Sequence, residues 1–408
     1  MRDIELYTTV LGIARPWVIS DASLDIGQQK VEVSVAHEGP ATCPVCGRAA
    51  PKYDTRSRRW RHLDFCQYQL FITAEVPRID CDLHGVKQIH VPWAEERSGF
   101  TALFEQCVIA WLRELSFAAV VRRMRITWDE IDGIMMRAVA RGMARRQKDI
   151  VRFIGIDEKS IRKRHKYFTI VSDLQTQKVL WIGRGRKRET IDSFWKTLSE
   201  EQLAGIEGIS MDMWAPFFDS AVANVPDGKS KIVFDKFHIA KYLSDALDKT
   251  RKRMAVDTSI DRTALKGRRW LLLRNPRRMT HSQKIASHSL REEYSDLARG
   301  WAMVQAFKEL WDFTSETWAR KHFKRWYFWA THSRLKPFIE VAKTLKSHLE
   351  NILTYLHIPI TNAAAEGLNS KIQLIKYRAR GYRNADRFER AIFFHLGGLD
   401  LSPTHTKA

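Results

Sequence analysis

Short apolar runs alternate with helical patterns through the middle of the chain. Five runs rich in Ile, Val and Phe predict buried strands at residues 151–157, 167–173, 178–183, 208–212 and 231–235. Apolar positions at helical spacing predict helices over residues 189–198 and 215–225. The first three strands follow one another through short turns, so we expect an antiparallel meander. The later strands alternate with helices.

Acids stand at the ends of two of these predicted strands. The element order, three strands and then helix, strand, helix, strand, helix, is that of the RNase H-like fold, in which the first and fourth strands are neighbours. Asp157 ends the first strand and Asp212 the fourth, so we expect their carboxylates to lie side by side. Such a pair repels when both groups are ionised and buried, and two divalent cations about 3.5–4 Å apart remove the conflict and suit phosphodiester displacement. Each aspartate alone is equally consistent with a turn or cap residue.

A third acid lies on an amphipathic pattern near the C-terminus, where residues 361–383 predict one helix. The polar side carries Asn362, Glu366, Asn369 and Gln373, and the apolar side carries Leu368, Ile372 and Ile375. Thr361 or Asn362 can cap its start, and Gly381 suits its end. Basic residues follow the acid at Lys371, Lys376, Arg378 and Arg380. A lone carboxylate beside these charges indicates a metal ligand next to a phosphate backbone; the alternative is a solvated basic helix with an incidental Glu.

Two knuckle motifs occur in the N-terminal third. Cys43 and Cys46 form the first, Cys81 and His84 form the second, and each is followed by a glycine that permits a tight turn. Together they make a Cys3His set suited to tetrahedral zinc, unless the match is a coincidence of four unrelated residues. The stretch between the knuckles predicts strands, and its arginines favour a contribution to DNA binding, at Arg58, Arg59 and Arg61.

Residues 101–143 have the pattern of a helix-turn-helix. A first apolar helix is followed by a short helix ending near Met124, a turn at Arg125 and Ile126, and a longer helix that Thr127 can cap. Arg122, Arg123 and Arg137 are candidates for phosphate contacts. The alternative is a plain helical linker.

The stretch between Asp212 and Glu366 is too long for a plain RNase H-like fold, so we expect an insertion over residues 245–359. Helical patterns dominate it, and it contains six of the fourteen tryptophans: Trp270, Trp301, Trp311, Trp318, Trp326 and Trp329. A Trp-packed helical bundle explains most of them, and the alternative is that one or two stack on a DNA base.

The charge balance favours a polyanion as partner. The chain of 408 residues carries 68 Lys and Arg against 47 Asp and Glu, a formal charge of +21. Basic clusters include Arg162, Lys163, Arg164 and Lys166, and further along Arg186, Lys187 and Arg188. No apolar run is long enough for a transmembrane helix, and five cysteines with a Cys-x-x-Cys pair fit a reduced, cytoplasmic protein, nucleoid-associated when bound to DNA.

Four segments carry the acids and their neighbours: Gly-Ile-Asp157-Glu-Lys-Ser, Ser-Met-Asp212-Met-Trp-Ala-Pro-Phe, Phe-Asp235-Lys-Phe-His238-Ile-Ala-Lys and Thr-Asn-Ala-Ala-Ala-Glu366-Gly-Leu-Asn369-Ser-Lys. Together they resemble the motifs of bacterial insertion-sequence DDE transposases of the ISL-three group. The knuckles and the helix-turn-helix match that group in kind and order. His84 stands where a Cys is more usual, and a further Asn after Asn362 is absent.

The resemblance implies a catalytic triad of Asp157, Asp212 and Glu366 that binds Mg²⁺ or Mn²⁺. Asp235 and His238 match the family's Asp-x-x-His element near the active site, and Asn362 and Asn369 are expected to support it. The implied activity is that of a DNA transposase, which binds terminal inverted repeats, cleaves at transposon ends and joins the 3′-OH to DNA, as a homodimer on the DNA. The alternatives are a non-catalytic DNA-binding regulator and a nuclease without strand transfer.

The expected fold is therefore multidomain α/β. We expect a zinc-finger domain over residues 1–98, a helix-turn-helix domain and linker over 99–148, and an RNase H-like catalytic domain over 149–244 and 360–408. An all-helical insertion at 245–359 would interrupt that catalytic domain.

Overall fold

The computed structural model describes residues 3–162, 166–254, 265, 269–274 and 278–404. The chain forms two compact units, one from residues 1–147 and 374–408 and the other from residues 148–373. We expected residues 360–408 to belong to the catalytic domain. In the structure, the contacts of residues 374–408 group them with the first unit, and the predicted domain bounds stay a prediction. Within the described ranges, no helix is both long and apolar enough to cross a membrane.

The first unit is built on a five-stranded sheet. Its strands are β1 (Trp17–Asp25), β2 (Lys30–His37), β3 (Lys52–Arg61), β4 (Gln69–Cys81) and β5 (Gly85–Gln88). The order is β1-β2-β4-β3, with β5 paired to β4, and β2 and β4 run parallel while the other pairs are antiparallel. Alternate residues of β2 and β4, such as Val33 and Ile72, are fully buried, as expected when one face of a sheet covers a core. The strands predicted between the knuckles are β3 and β4.

Helices complete the first unit at Asp3–Leu11, Ala102–Glu114, Phe117–Met124, Trp128–Arg145 and Ala385–Leu396. The predicted turn is present, because Arg125 adopts the left-handed conformation that ends the short helix. Thr127 then forms a capping box with Glu130, in which each side chain satisfies a free backbone amide of the next helix. The helix-turn-helix prediction is confirmed.

The second unit contains a mixed five-stranded sheet. Its strands are β6 (Phe153–Arg162), β7 (Lys166–Asp173), β8 (Lys178–Arg184), β9 (Gly208–Met211) and β10 (Ile232–Phe234). The order is β10-β9-β6-β7-β8, with β6, β7 and β8 antiparallel and β6, β9 and β10 parallel. All five predicted strands are present, and the meander and the β6–β9 neighbourhood are confirmed. Every residue of β9 and β10 is buried, which explains their unbroken apolar sequences.

The predicted end of β6 was wrong. Its pairing with β9 stops at Gly155 opposite Ser210, but its pairing with β7 continues as far as Arg162. Asp157 therefore lies within the strand, two residues beyond the last pair with β9. The antiparallel partner extends β6 past the point where the apolar run stops.

The rest of the second unit is helical in its described part. Its α-helices are Arg188–Trp195, Glu200–Ala204, Ala215–Asn224, Gly228–Lys231, Lys236–Met254, Arg269–Leu273, His281–Glu293, Ser295–Lys308, Glu316–His332, Lys336–Ser347, Leu349–Leu353 and the part of Ala363–Arg378 up to residue 373; Glu309–Asp312 and Thr354–Leu356 are 3₁₀ turns. The expected domain boundary at 244/245 falls inside the helix Lys236–Met254, so that helix continues from the sheet into the helical stretch.

The six tryptophans of the helical stretch divide into two groups. Trp326 is buried, and Trp301 and Trp311 pack against the same core, as the bundle interpretation requires. Trp270, Trp318 and Trp329 are exposed. Core packing therefore accounts for three of the six.

Candidate carboxylate site and zinc-ligand set

Three aspartates stand at one edge of the second sheet. Asp157 lies just beyond the pairing of β6 with β9, Asp212 directly follows β9, and Asp235 directly follows β10. Because these three strands are parallel, their carboxyl ends meet at the same edge. The sheet topology therefore gathers acids that are far apart in the sequence.

His238 lies among these three acids. It is one turn into the helix that starts directly after Asp235, and its Nδ1 lies 3.1 Å from Oδ2 of Asp212. Its Nε2 lies 4.0 Å from Oδ2 of Asp235. The contact with Asp212, and the charges of Asp235 and Asp157, raise the pKa of His238 above its ordinary value. The imidazole is thus favoured as a cation that balances part of the acidic charge.

Asp157 and Asp212 have different electrostatic surroundings. Burial raises the pKa of Asp157 to about 6, although the amide of Glu158 donates to its Oδ1 at 2.7 Å. Burial also acts to raise the pKa of Asp212, but the hydrogen bond and charge of His238 outweigh it and hold that pKa below its usual value. The amide of Met213 donates to Asp212 at 2.6 Å. Without a nearby cation, Asp157 is the more costly of the two to ionise.

Asp235 is the most deeply buried of the three aspartates. Burial raises its pKa, and the amides of Phe237 and Asn362 donate to it. Its Oδ2 and the side-chain oxygen of Asn362 are buried without a hydrogen-bond partner among the described residues. A buried carboxylate oxygen without a donor, beside a second acid with a raised pKa, suits a divalent cation, since these are hard oxygen ligands.

The helix Ala363–Arg378, called here the Glu366 helix, reaches this site through Asn369. The Nδ2 of Asn369 donates to Oδ2 of Asp157, and the Nζ of Lys159 donates to the backbone oxygen of Asn369 at 3.4 Å. Leu368, Ile372 and Ile375 are buried, which confirms the predicted apolar side. Glu366 lies one turn before Asn369, on the same side of the helix.

The three predicted catalytic acids are not drawn together to ligand distances. Glu366 is exposed. Over the described ranges, the one group of three or more acids, histidines or cysteines with all ligand atoms within 4.8 Å of one another is the zinc-ligand set. His238 interacts with the charges of Asp157, Asp212 and Asp235. Asn369 donates to Asp157, and the backbone amide of Asn362 donates to Asp235. The backbone amide of Glu366 donates to the oxygen of Asn362 at 2.9 Å.

The zinc-ligand set consists of Cys43, Cys46, Cys81 and His84, as the sequence predicts. The Sγ atoms of Cys46 and Cys81 are 3.8 Å apart, and Nδ1 of His84 lies 3.7 Å and 3.6 Å from the sulfurs of Cys43 and Cys81. A tetrahedral zinc ion with Zn–S bonds of about 2.3 Å separates two sulfurs by about 3.8 Å. The amide of Cys46 lowers the pKa of the Cys43 thiol to about 6, which favours the thiolate that zinc requires. The residues fit zinc.

Turns at fixed glycines position these ligands. Gly47 and Gly85 both have positive φ angles, of 71° and 64°, where a residue with a side chain is strained. Each knuckle can therefore fold its two ligands back onto one point. Cys66, outside the set, is exposed.

The predicted DNA-contacting residues fall into two groups. Arg61 is 5% exposed and donates to the carbonyls of His62 and Leu70 and to Asp64, so its guanidinium serves the fold rather than DNA. Arg137 donates at 2.8 Å to the buried Glu105, and its position likewise indicates a structural role. The rest are exposed or half-buried: Arg58, Arg59, Arg122, Arg123, Arg186, Lys187, Arg188, Lys371, Lys376, Arg378 and Arg380. The side chains of the cluster at residues 162–166 lie outside the described residues.

Sequence reasoning missed an aromatic and basic cluster next to the acids. The guanidinium of Arg186 lies over two rings, 4.6 Å from the centroid of Tyr167 and 5.1 Å from that of Trp214. Trp214 follows Asp212 by two residues, and Arg186 also pairs with Glu158, the neighbour of Asp157, at 3.5 Å. The sequence shows that Trp214 lies two residues after Asp212, but it does not show that the ring is exposed or that Arg186 lies over it.

Three family models match the chain. One described as "Transposase" covers residues 154–392, one described as "Helix-turn-helix domain of transposase family ISL3" covers 89–139, and one described as "zinc-finger of transposase IS204/IS1001/IS1096/IS1165" covers 39–84. The first match contains the carboxylate site, the second contains the helix-turn-helix, and the third contains the zinc-ligand set.

Curated relatives match over nearly the full length. The transposase for insertion sequence element IS1557 of Mycobacterium tuberculosis is 30% identical over 436 residues, covering 98% of this chain and 96% of the relative. The transposase for insertion sequence element IS1001 of Bordetella parapertussis is 28% identical over 352 residues, covering 85% of this chain and 86% of the relative.

Proposed function

The chain belongs to transposase family ISL3 and is a DNA transposase that uses divalent metal, and from this premise we propose how its residues act. We propose that Asp157, Asp212 and Glu366 hold two Mg²⁺ or Mn²⁺ ions and that the enzyme cleaves at transposon ends and joins the 3′-OH to DNA. The observation that carries the proposal is the common sheet edge: three parallel strands deliver Asp157, Asp212 and Asp235 around His238. The sheet order supports assignment of this unit to the RNase H-like fold.

The neighbouring residues orient the acids. Asn369 fixes one oxygen of Asp157, and His238 fixes one oxygen of Asp212, so each carboxylate keeps a second oxygen in a defined direction. When bound, the divalent ions supply activation of the attacking oxygen and stabilisation of the leaving oxygen. Asp235 and Asn362 form the buried part of the site, where the backbone amide of Asn362 donates to the Asp235 carboxylate.

Glu366 completes the ligand set from the Glu366 helix. Asn369 already contacts Asp157 from that helix, and one turn separates the two side chains. A rotation of the exposed Glu366 side chain toward Asp157 is therefore the movement that the proposal requires. Basic residues that follow on the same helix, such as Lys371, position the DNA phosphates near it.

The first unit supplies DNA recognition. Its helix-turn-helix binds DNA, and we propose that it reads the terminal inverted repeats together with the zinc finger, in which zinc is structural. The Cys3His set leaves no open coordination position on a tetrahedral zinc ion, which excludes hydrolysis at that metal. Both transposon ends must be held at once, so we propose a homodimer on DNA, acting in the bacterial cytoplasm.

The test is incubation with magnesium and a supercoiled plasmid that carries candidate ends. We compare the wild type with Glu366→Gln and with Glu340→Gln, an exposed acid of the same unit. The proposal expects cleaved and joined products from the wild type and Glu340→Gln and none from Glu366→Gln. Equal cleavage by Glu366→Gln removes this residue from the mechanism. Cut ends without joining indicate a nuclease, and binding without cleavage by the wild type indicates a regulator.

A further inference from the structure

Trp214 is held next to the carboxylate site by contacts from other elements. Its indole Nε1 donates to the backbone oxygen of Arg186 at 3.2 Å. The Arg186 guanidinium lies over Trp214 and Tyr167, which brings the end of β8, the start of β7 and the residues after β9 into contact. The ring therefore has a fixed orientation although 39% of the residue is exposed.

An exposed indole normally costs free energy, because its large apolar surface remains hydrated. Here the polar edge of the ring is satisfied internally, by the bond to Arg186, and the apolar surface is left accessible. The same Arg186 pairs with Glu158, so the cluster is linked to β6, which contains Asp157, and to the residues after β9, which include Asp212. An oriented, partly exposed ring beside a cationic guanidinium is the combination that unpaired bases stack on.

We propose that Trp214, held by Arg186 and Tyr167, is a stacking subsite for the nucleobase next to the phosphate that is cut. The inference rests on the proposed function, since it takes Asp157 and Asp212 as the site of cleavage. Trp214 is two residues from Asp212, so a nucleotide whose phosphate reaches the aspartates places its neighbouring base within reach of the ring. Arg186 contributes positive charge on the path of the backbone.

The exposed tryptophans of the helical stretch do not share this position. Trp270 and Trp318 are more exposed, but the cations near them, Arg269 and Lys321, come from their own helices. Among the residues that the structure describes, no cation lies over the ring of Trp329, and none of these three tryptophans has a cation contact from a strand of the carboxylate site. Trp214 is therefore the tryptophan assigned to the base, instead of those that the sequence had suggested.

The first experiment measures cleavage of linear DNA that carries one transposon end, after the cut has been mapped. Base stacking on an aromatic side chain contributes about tenfold to hundredfold in binding, so Trp214→Ala is expected to lose about that factor in cleavage rate. Trp214→Phe, which keeps a ring, is expected to retain most of the rate. Phe328→Ala, which removes another exposed ring of the same unit, is expected to change nothing.

Removal of the base separates stacking from a structural role. An abasic nucleotide is placed at each position beside the cut in turn. At one position the wild type is expected to lose about as much rate as Trp214→Ala loses on intact DNA, and Trp214→Ala is expected to lose nothing further. Independent losses that multiply at every position overturn the proposal, because Trp214 then acts only by holding the residues after β9.

A second measurement does not depend on cleavage. 2-Aminopurine replaces the base at the position found above, and its fluorescence is recorded with Glu366→Gln protein. The fluorescence is compared between the Glu366→Gln protein and the double variant that also carries Trp214→Ala. Quenching by the first protein that the double variant lacks supports the subsite, and equal fluorescence with both proteins overturns it. Cleavage by Glu366→Gln itself would instead count against the proposed function, so the two failures are distinguishable.

Discussion

The zinc-ligand set and the carboxylate site are built on opposite principles. Each zinc knuckle supplies two ligands from one tight turn, and the four ligand atoms already lie within 4.8 Å of one another. The carboxylate site takes each acid from a different element, and protein groups occupy individual oxygens: His238 contacts Asp212, and Asn369 contacts Asp157. In the zinc-ligand set, the backbone turns fix the positions of the ligands. In the carboxylate site, we expect side chains such as Glu366 to move when metal and DNA bind.

The difference is one of task. A structural ion contributes most when its ligands are preorganised, because binding energy is then spent on holding the fold. A catalytic site must admit a phosphate and release it, so its ligands are oriented by neighbours and not fully closed around the ion. The following changes separate the two sites.

Removal of one zinc ligand is expected to have the largest effect. Cys81→Ser weakens the binding of the zinc ion that joins the end of β4 to the turn before β3. The first unit should therefore lose zinc and several kcal/mol of unfolding free energy. Zinc content and urea unfolding of the full chain measure this. Cys66→Ser, which removes an exposed cysteine outside the set, is the matched control and should keep both. Full zinc content in Cys81→Ser would contradict the assignment.

Neutralisation of a proposed catalytic acid is expected to leave the fold intact. Asp157→Asn keeps the shape, and its one oxygen can still accept the bond from Asn369 or from the Glu158 amide, but it removes the charge that divalent ions need at the proposed site. Cleavage should fall by about 10³-fold or more, equivalent to about 4 kcal/mol. Because burial disfavours the ionised Asp157, the melting temperature should stay the same or rise.

The matched control for that change is Asp219→Asn, an exposed acid on the helix that follows Asp212. It should cleave at the wild-type rate. A fall in melting temperature of Asp157→Asn that accounts for its lost activity would assign Asp157 a structural role, like that of the zinc ligands.

The sequence predicted the main elements of both sites for different physical reasons. Runs such as 208–212 identify strands because a strand buried on both faces must be apolar throughout, and the topology then places β6, which contains Asp157, beside β9, which Asp212 follows. The knuckles are local motifs with fixed spacing. The contact of Asn369 with Asp157 joins residues more than two hundred positions apart, and no local periodicity encodes such a pair.

The same limit explains which contacts of the folded chain the sequence does not predict. Arg61 belongs to a basic run that favours DNA, but its burial depends on Asp64 and on carbonyls that the folded sheet brings to it. The assignment of residues 374–408 to the first unit depends on packing of the helix Ala385–Leu396, for example through the contact of Arg390 with Asp132. Charge and hydropathy patterns predict the helices and strands, but they do not predict which residues contact one another in the folded chain.

A smaller effect is expected from the groups that orient the carboxylates. Asn369→Ala removes the donor to Asp157 without removing a metal ligand, so cleavage should fall by about tenfold to hundredfold and need more magnesium. Cleavage rates over a magnesium titration measure this. Gln373→Ala, one turn further along the Glu366 helix and exposed, is the control and should leave the titration unchanged. A loss in Asn369→Ala that no magnesium concentration reduces would mean that Asn369 contacts the DNA instead.

The smallest effect is expected at His62, a buried histidine of the first unit that lies outside the zinc-ligand set. Burial, with a smaller contribution from the charge of Arg61, lowers the pKa of His62 to about 4, whereas it is near 6.5 in the unfolded chain. Between these values the unfolded chain binds a proton that the folded chain does not, so stability falls as the pH drops from about 6.5 toward 4. His62 should contribute about 1–2 kcal/mol to the loss between pH 7 and pH 5. Urea unfolding with saturating zinc should show that His62→Gln, which can still bond to Thr101, reduces this loss. An unchanged pH dependence in His62→Gln would show that the buried imidazole of His62 does not cause the acid sensitivity of the first unit.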